Sequence, residues 1–318
     1  MTDEAFLRAR ERPAGRPAEY PPLPESLVVP VYDNHTHLDP STGSGQRISD
    51  GIETLDYREQ LDRASSVGVR GVVQVGTDLA TSRWSADIAA REPRVLAAVA
   101  LHPNDAPELA AQGVLEDHLA GIDELASRPR VRAVGETGLD FFRTGEDGRG
   151  AQTRSFEAHI EIAKRHGLAL QIHDRDAHRE VVEVLDRVGA PERTVFHCFS
   201  GDAEFARLVA ERGWYLSFAG TVTFKNAQPL RDALEVVPRS RLLVETDAPY
   251  LTPVPYRGRP NSAYLIPHTL RAMAETLRTD VAMLAAQISS TTELVYGGWD
   301  DDPVDAPRGP FAPHGDAR

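Results

Sequence analysis

The sequence predicts an α/β fold, a single (β/α)8 TIM barrel, on three observations. Eight short apolar runs recur along the chain, each near-continuous, as expected of parallel strands buried on both faces. Stretches with helical periodicity separate them, and that alternation within one long domain is the pattern of the barrel. No Gly-x-Gly-x-x-Gly follows the first run, which disfavours an open doubly wound sheet.

The elements follow in order. The chain opens on MTDEAFLRARERPAGRPAEYPPLPESL, a charged segment and then a Pro-rich connector, so residues 1–27 are expected to be a flexible extension. The barrel is expected over 28–298. Its first strand is LVVPVYDNH (27–35), and the helical stretch YREQLDRASSVGV (57–69) leads into the second, VRGVVQVGT (69–77). The third and fourth are RVLAAVALHP (94–103) and VRAVGETGLD (131–140). SFEAHIEIAKRHG (155–167) then sets Phe156, Ile160 and Ala163 at helical spacing and closes on Gly167, a residue suited to a C-cap. LALQIHDRDA (168–177) is the fifth strand, and DAHREVVEVLDRVG (176–189) is a helix that closes on Gly189. RTVFHCFSG (193–201), GWYLSFAG (213–220) and RLLVETDAPY (241–250) complete the eight. Beyond Gly297 the chain turns acidic and rich in Pro and Gly, so 299–318 is expected to be a disordered tail.

Bulk properties narrow the functional classes. The 318 residues carry 41% hydrophobic and 26% charged side chains, as in a soluble globular protein. No apolar run of about 18 residues is present, so no membrane span is expected. The first segment lacks the apolar core of a secretory signal, and the single cysteine, Cys198, allows no intrachain disulfide; a reducing, cytoplasmic setting is expected. A net charge of −13 argues against a broad basic surface for duplex DNA. It leaves room for an enzyme that takes one strand end into a small pocket where metal ions supply positive charge. Nothing calls for an obligate protein partner.

Chemistry-bearing residues fall at the ends of the strands. His35 and His37 end the first, His102 the third, Glu136 the fourth, His173 the fifth, His197 the sixth and Asp247 the eighth. In a parallel barrel all those ends gather on one face. Residues i and i+2 of a strand share a side with α-carbons about 6.6 Å apart. His35 and His37 can therefore converge on one cation. Glu136 could bridge two cations through its two oxygens, with His173 and His197 completing the second and Asp247 the first. The remaining six histidines, at 118, 159, 166, 178, 268 and 314, are read as solvated or structural imidazoles. Cys198 is read as a small buried hydrophobe, because His197, if it binds metal, has no imidazole to spare as a base and adjacent strand residues point to opposite faces.

Five motifs, DNHTHLD, VGETGLDFFR, QIHDRDA, HCFSG and ETDAPYL, in this order and spacing, resemble those of the TatD family of metal-dependent hydrolases. The resemblance runs from about residue 30 to residue 297. It implies one to two divalent cations (Mg, Mn or Zn), with His35, His37, Glu136 and Asp247 around one, and Glu136, His173 and His197 around the other. It also implies a deoxyribonuclease, with 3′–5′ exonuclease action on single-stranded DNA or strand ends. In this scheme the cations activate a water to hydroxide for attack on phosphorus. Asp247 acts as general base, and Glu136 is the other residue the chemistry depends on. His102, Arg175 and Lys225 are expected to contact substrate, and Phe141 or Phe142 either stacks on a base or anchors the loop. Arg257 and Arg259 would lie on loops of the same face. Two departures stand out: Ser262 replaces a usual glutamate beside Asn261, and Phe141 and Phe142 stand where tyrosine is common. Two other readings are open, the same barrel acting on an amide, lactone or aminoacyl ester, and a scaffold without activity.

Overall fold

In the computed structural model the described residues are 19–38, 47–48, 52–53 and 55–305. Eight parallel strands follow one another around a barrel in chain order. They are β1 (Val31–Thr36), β2 (Val69–Val75), β3 (Val95–Val99), β4 (Val131–Asp140), β5 (Ala169–Arg175), β6 (Thr194–Phe196), β7 (Tyr215–Phe218) and β8 (Leu242–Val244). A parallel bridge from Thr36 to Ala248 joins the last strand to the first, reinforced by Asp247 N–H to His35 O (2.9 Å) and His37 N–H to Ala248 O (2.8 Å). The expected (β/α)8 barrel is the fold.

Ten helices cover the barrel among the described residues: α1 (Tyr57–Ser66), α2 (Leu79–Ala89), α3 (Ala106–Ala111), α4 (Leu115–Ala126), α5 (Glu146–His166), α6 (His178–Val188), α7 (Ala203–Glu211), α8 (Gln228–Val236), α9 (Ile266–Thr276) and α10 (Val281–Tyr296). Local chemistry sets their ends. Asp78 and Thr81 form a reciprocal capping box at α2, and the Asp280 carboxylate accepts two backbone N–H groups at α10. Gly167 closes α5 at φ 61°, a left-handed conformation that glycine adopts without a Cβ clash. That helix starts at Glu146, well before the expected residue 155. Gly148 and Gly150 weaken the helical signal there, and burial of Ala151, Gln152 and Ser155 overrides it.

Two apolar layers result. One lies between strands and helices, built from residues such as Val72, Val99, Phe156, Ile160 and Leu185. The other fills the barrel and includes the small residues Ala98, Ala133 and Ala169 with Val73, Val195 and Leu243. No helix among the described residues is long and apolar enough to cross a membrane.

Ordered packing extends past both expected domain limits. Residues 19–27 lie along the barrel: Arg259 donates to the carbonyls of Glu19 (2.9 Å) and Tyr20 (2.7 Å), and the Tyr264 hydroxyl donates to Pro21 O (2.6 Å). Residues 299–305 continue from α10 beneath the N-terminal ends of the strands. Trp299 there is buried and stacks on Tyr32, ring centroids 3.9 Å apart. The expected tail thus begins with a packed segment, because the barrel floor offers an apolar seat that composition does not reveal. Residues 1–18 and 306–318 lie outside the described residues.

Candidate metal centre

All six residues expected to hold metal meet at the C-terminal face of the barrel. Glu136 stands at their centre and divides its two oxygens. Oε2 faces His35 Nε2 at 3.6 Å and His37 Nε2 at 3.9 Å, and Asp247 Oδ1 lies 4.0 and 3.6 Å from the same two nitrogens. Two ligands bonded at about 2.1 Å in a tetrahedral shell lie about 3.4 Å apart, so these four atoms need to close only slightly around one cation. Oε1 faces the other way, 2.6 Å from His173 Nδ1, 2.8 Å from His197 Nε2 and 3.4 Å from His102 Nε2.

The backbone delivers these groups in different ways. His35 lies within β1, Glu136 within β4 and His173 within β5, whereas His102, His197 and Asp247 lie just beyond the shortened ends of β3, β6 and β8. Asp247 itself has φ 51°, a left-handed conformation that costs a non-glycine residue on the order of 1 kcal/mol. At Gly138 (φ 140°) an added Cβ would sit 2.1 Å from His173 O, so only glycine lets β4 approach β5 this closely. Cys198, expected to be buried, is half-buried at φ 41° and donates its N–H to Glu245 at 2.8 Å.

Three of the imidazoles are oriented by their outer nitrogen. His37 Nδ1–H donates to Val75 O (2.9 Å), which turns Nε2 toward Glu136 and Asp247. His197 Nδ1–H points at Glu245 Oε1 (3.3 Å), and His173 Nε2–H at Asp140 Oδ2 (3.2 Å). Such outer carboxylates and carbonyls set the tautomer that a metal ligand needs. His35 differs: both ring nitrogens are buried without a hydrogen-bond partner among the described residues, and its ring stacks on His197 at 4.0 Å. An unsatisfied buried polar group costs about 1–3 kcal/mol, and coordination of a cation would relieve it.

The electrostatics point the same way. Burial opposes ionisation of Glu136, yet His197, His102 and His173 outweigh it and hold the carboxyl well below its usual range. Burial likewise opposes charge on His173, but Asp140 and Glu136 raise it to about 9. His197 is raised by Glu136 and Glu245 against its own burial. His35 is depressed by burial and by His197. Asp247, despite burial, is lowered by His37 and His35. These carboxylates draw positive charge into the cluster, and a divalent cation answers that demand. The residues present fit one: His35, His37 and Asp247 form one group able to hold metal, and His102, Glu136 and His173 another.

Glu245 was not among the expected residues. It is fully buried, groups with His35 and His197 as potential ligands, and has Oε2 without a hydrogen-bond partner among the described residues. Its signal was its place two before Asp247, the same spacing that marked His35 and His37. Asp140 and Asp33 were likewise missed. Asp33 ties the ends of β1 and β8 together by accepting from His35 N–H (3.2 Å) and Thr246 N–H (2.9 Å). Asp39 of DNHTHLD lies outside the described residues.

The expected substrate contacts separate. His102 joins the cluster, and because Asn104 N–H donates to its Nδ1 (3.1 Å), the neutral ring carries its proton on Nε2. Arg175 lies at the end of β5 with its guanidinium over the Phe142 ring. Lys225 is exposed on the loop after β7, and no ion pair among the described residues joins its ammonium to the cluster. Arg259 does not serve the face at all, since its guanidinium holds the N-terminal segment. In the departing loop, Ser262 Oγ donates to Gln60 (3.1 Å), while Asn261 donates to Thr246 O (3.0 Å) and braces the approach to Asp247.

Comparison with known proteins fits this geometry. The family model described as TatD related DNase matches residues 32–297. The chain belongs to the TatD family. A metal-dependent hydrolase named TatD from Mycobacterium tuberculosis is 43% identical over 274 residues, 85% of this chain and 99% of the relative. A TatD from Escherichia fergusonii, named a 3′–5′ ssDNA/RNA exonuclease, is 34% identical and covers 80% of this chain and 97% of its own length. Among solved structures, the TatD homologue YJJV from Escherichia coli K12 superposes with a TM-score of 0.74 at 26% identity, covering 84% of this chain and 98% of its own. As a TatD protein, the chain is a metal-dependent hydrolase.

Proposed function

We propose that this TatD protein is a deoxyribonuclease that hydrolyses phosphodiester bonds at the ends of single-stranded DNA, working from the 3′ end. The observation that carries the reading is the division of Glu136, one oxygen toward His35, His37 and Asp247 and the other toward His173, His197 and His102. That arrangement suits one or two cations, with His35, His37, Glu136 and Asp247 holding the first and Glu136, His173 and His197 the second. When bound, a divalent cation (Mg, Mn or Zn) supplies Lewis acidity and lowers the pKa of water in contact with it. Asp247, kept ionised by His37 and His35, accepts the proton of the attacking water. His102, its Nε2 3.4 Å from Glu136 Oε1, would donate to a phosphoryl or leaving oxygen. Arg175 adds a guanidinium for phosphate. The name of the Escherichia fergusonii relative supports a nucleic-acid substrate. The single cysteine suits a cytoplasmic setting.

The test is a panel of single-stranded DNA, lactones and aminoacyl esters, run with and without added manganese or magnesium. DNA hydrolysis that needs metal is the expected result. Turnover of an ester or lactone with no DNA hydrolysis would transfer the activity to the other bond class. Glu136→Ala and Asp247→Ala should each lower kcat by about 10²–10⁴-fold while circular dichroism stays native. Wild-type-like turnover in either variant, or in a chelated sample, would sink the assignment.

A further inference from the structure

Phe142 is 61% accessible and is the only exposed aromatic side chain among the described residues, whose other phenylalanines are packed or half-packed. Packing gives no reason for it. Its neighbour Phe141 is half-buried against the core with Arg149 over its ring at 4.1 Å, and so anchors the loop. Phe142 is what that loop presents.

Its position is tied to the metal centre. Phe142 lies two residues beyond Asp140, whose carboxylate holds His173. Arg175 lies two residues beyond His173, and Phe141 N–H donates to Arg175 O at 2.9 Å, which fixes the two loops to each other. The Arg175 guanidinium carbon sits 3.9 Å from the Phe142 ring centroid. No carboxylate pairs with this guanidinium among the described residues. A stacked guanidinium keeps its N–H donors at its edge, where they can meet a phosphate. It covers one face of the ring, and Phe142 as a whole still stays 61% accessible.

We infer that Phe142 and Arg175 form a stacking platform beside the His173 half of the centre, where one unpaired nucleobase lies on Phe142 while its phosphate meets Arg175. This rests on the nuclease reading and names its substrate more closely: a strand end whose base is free to leave its neighbours. Bases in a duplex are already stacked and cannot be shared with a ring in this place. Because every base has a stacking face, the platform selects single strands without selecting sequence.

The test compares an oligonucleotide with copies carrying an abasic residue at each position flanking the cleaved bond. The wild type should show KM about tenfold lower for the base-bearing strand at one of those positions. Phe142→Ala should erase that difference, and Phe142→Trp should retain it. A Phe142→Ala enzyme that keeps the wild-type preference overturns the inference, as does one in which kcat falls equally on both strands. If the wild type cleaves no oligonucleotide while hydrolysing another ester, the nuclease reading itself fails and takes the platform with it. Loss of preference confined to the variant cannot arise that way.

Discussion

At the residue scale, the centre depends on groups that never meet substrate. Glu245 shows this best. Its Oε1 receives Cys198 N–H at 2.8 Å and faces His197 Nδ1 at 3.3 Å, so it sets both the loop and the tautomer of an expected ligand. Glu245→Gln keeps the shape and an acceptor but removes the charge behind the imidazole. Metal affinity should fall by about 10–100-fold, with activity recovering as metal is added in excess. Titration against a chromophoric chelator measures it, and an unchanged affinity would remove Glu245 from the centre. The convergence of the six residues was legible because a barrel turns strand-end positions into spatial neighbours. Glu245 was hidden inside the apolar run RLLVETDAPY, where one carboxylate at the end had already been accounted for. Arg259 misled for a different reason: its carbonyl partners lie 239 and 240 residues away in the chain, and no local pattern records them.

At the element scale, α5 supports the face through one histidine that the sequence rightly kept out of the ligand set. His159 is fully buried; its Nε2 accepts Leu101 N–H at 3.1 Å, and its Nδ1–H donates to Ser155 O at 2.6 Å. The ring is thus neutral and holds the end of β3 one residue before His102. Burial pushes its pKa down from 6.5 to about 4. The folded state therefore binds this proton less readily than the unfolded chain does. Its contribution is fully present above pH 6.5 and is lost as pH falls through about 4. The loss approaches about 1.4 kcal/mol per pH unit within that window, about 3 kcal/mol in all. Urea unfolding of wild type and His159→Gln at pH 7 and pH 5 isolates the effect. The wild type should lose more stability than the variant over this interval, and parallel losses would show that His159 does not titrate there. Element boundaries were less legible than element order. The run 193–201, for example, leaves the sheet at Phe196, although Phe199 beyond it is still buried in the core.

At the scale of the whole molecule, the two ends of the barrel divide the work, chemistry at the C-terminal face and stability at the N-terminal one. The N-terminal end is closed by residues that the composition assigns to a tail. Trp299 stacks on Tyr32 and donates its indole N–H to Arg94 O at 3.1 Å. At Gly71 an added Cβ would meet that indole nitrogen at 2.5 Å, so β2 is shaped to receive the ring. Arg130, almost fully buried, gathers the carbonyls of Ala89, Pro93, Val95, Trp299 and Asp302, binding the segment to the strand ends. Removing a buried tryptophan leaves a cavity that the rigid barrel floor cannot fill. Trp299→Ala should therefore cost about 3–5 kcal/mol in urea unfolding. The metal centre lies at the far end of the strands, so the folded fraction should keep its kcat and its metal affinity. An unfolding midpoint equal to wild type would mean that the segment is not part of the folded unit. Loss of kcat in folded protein would mean instead that the two ends of the barrel are coupled through the strands rather than independent.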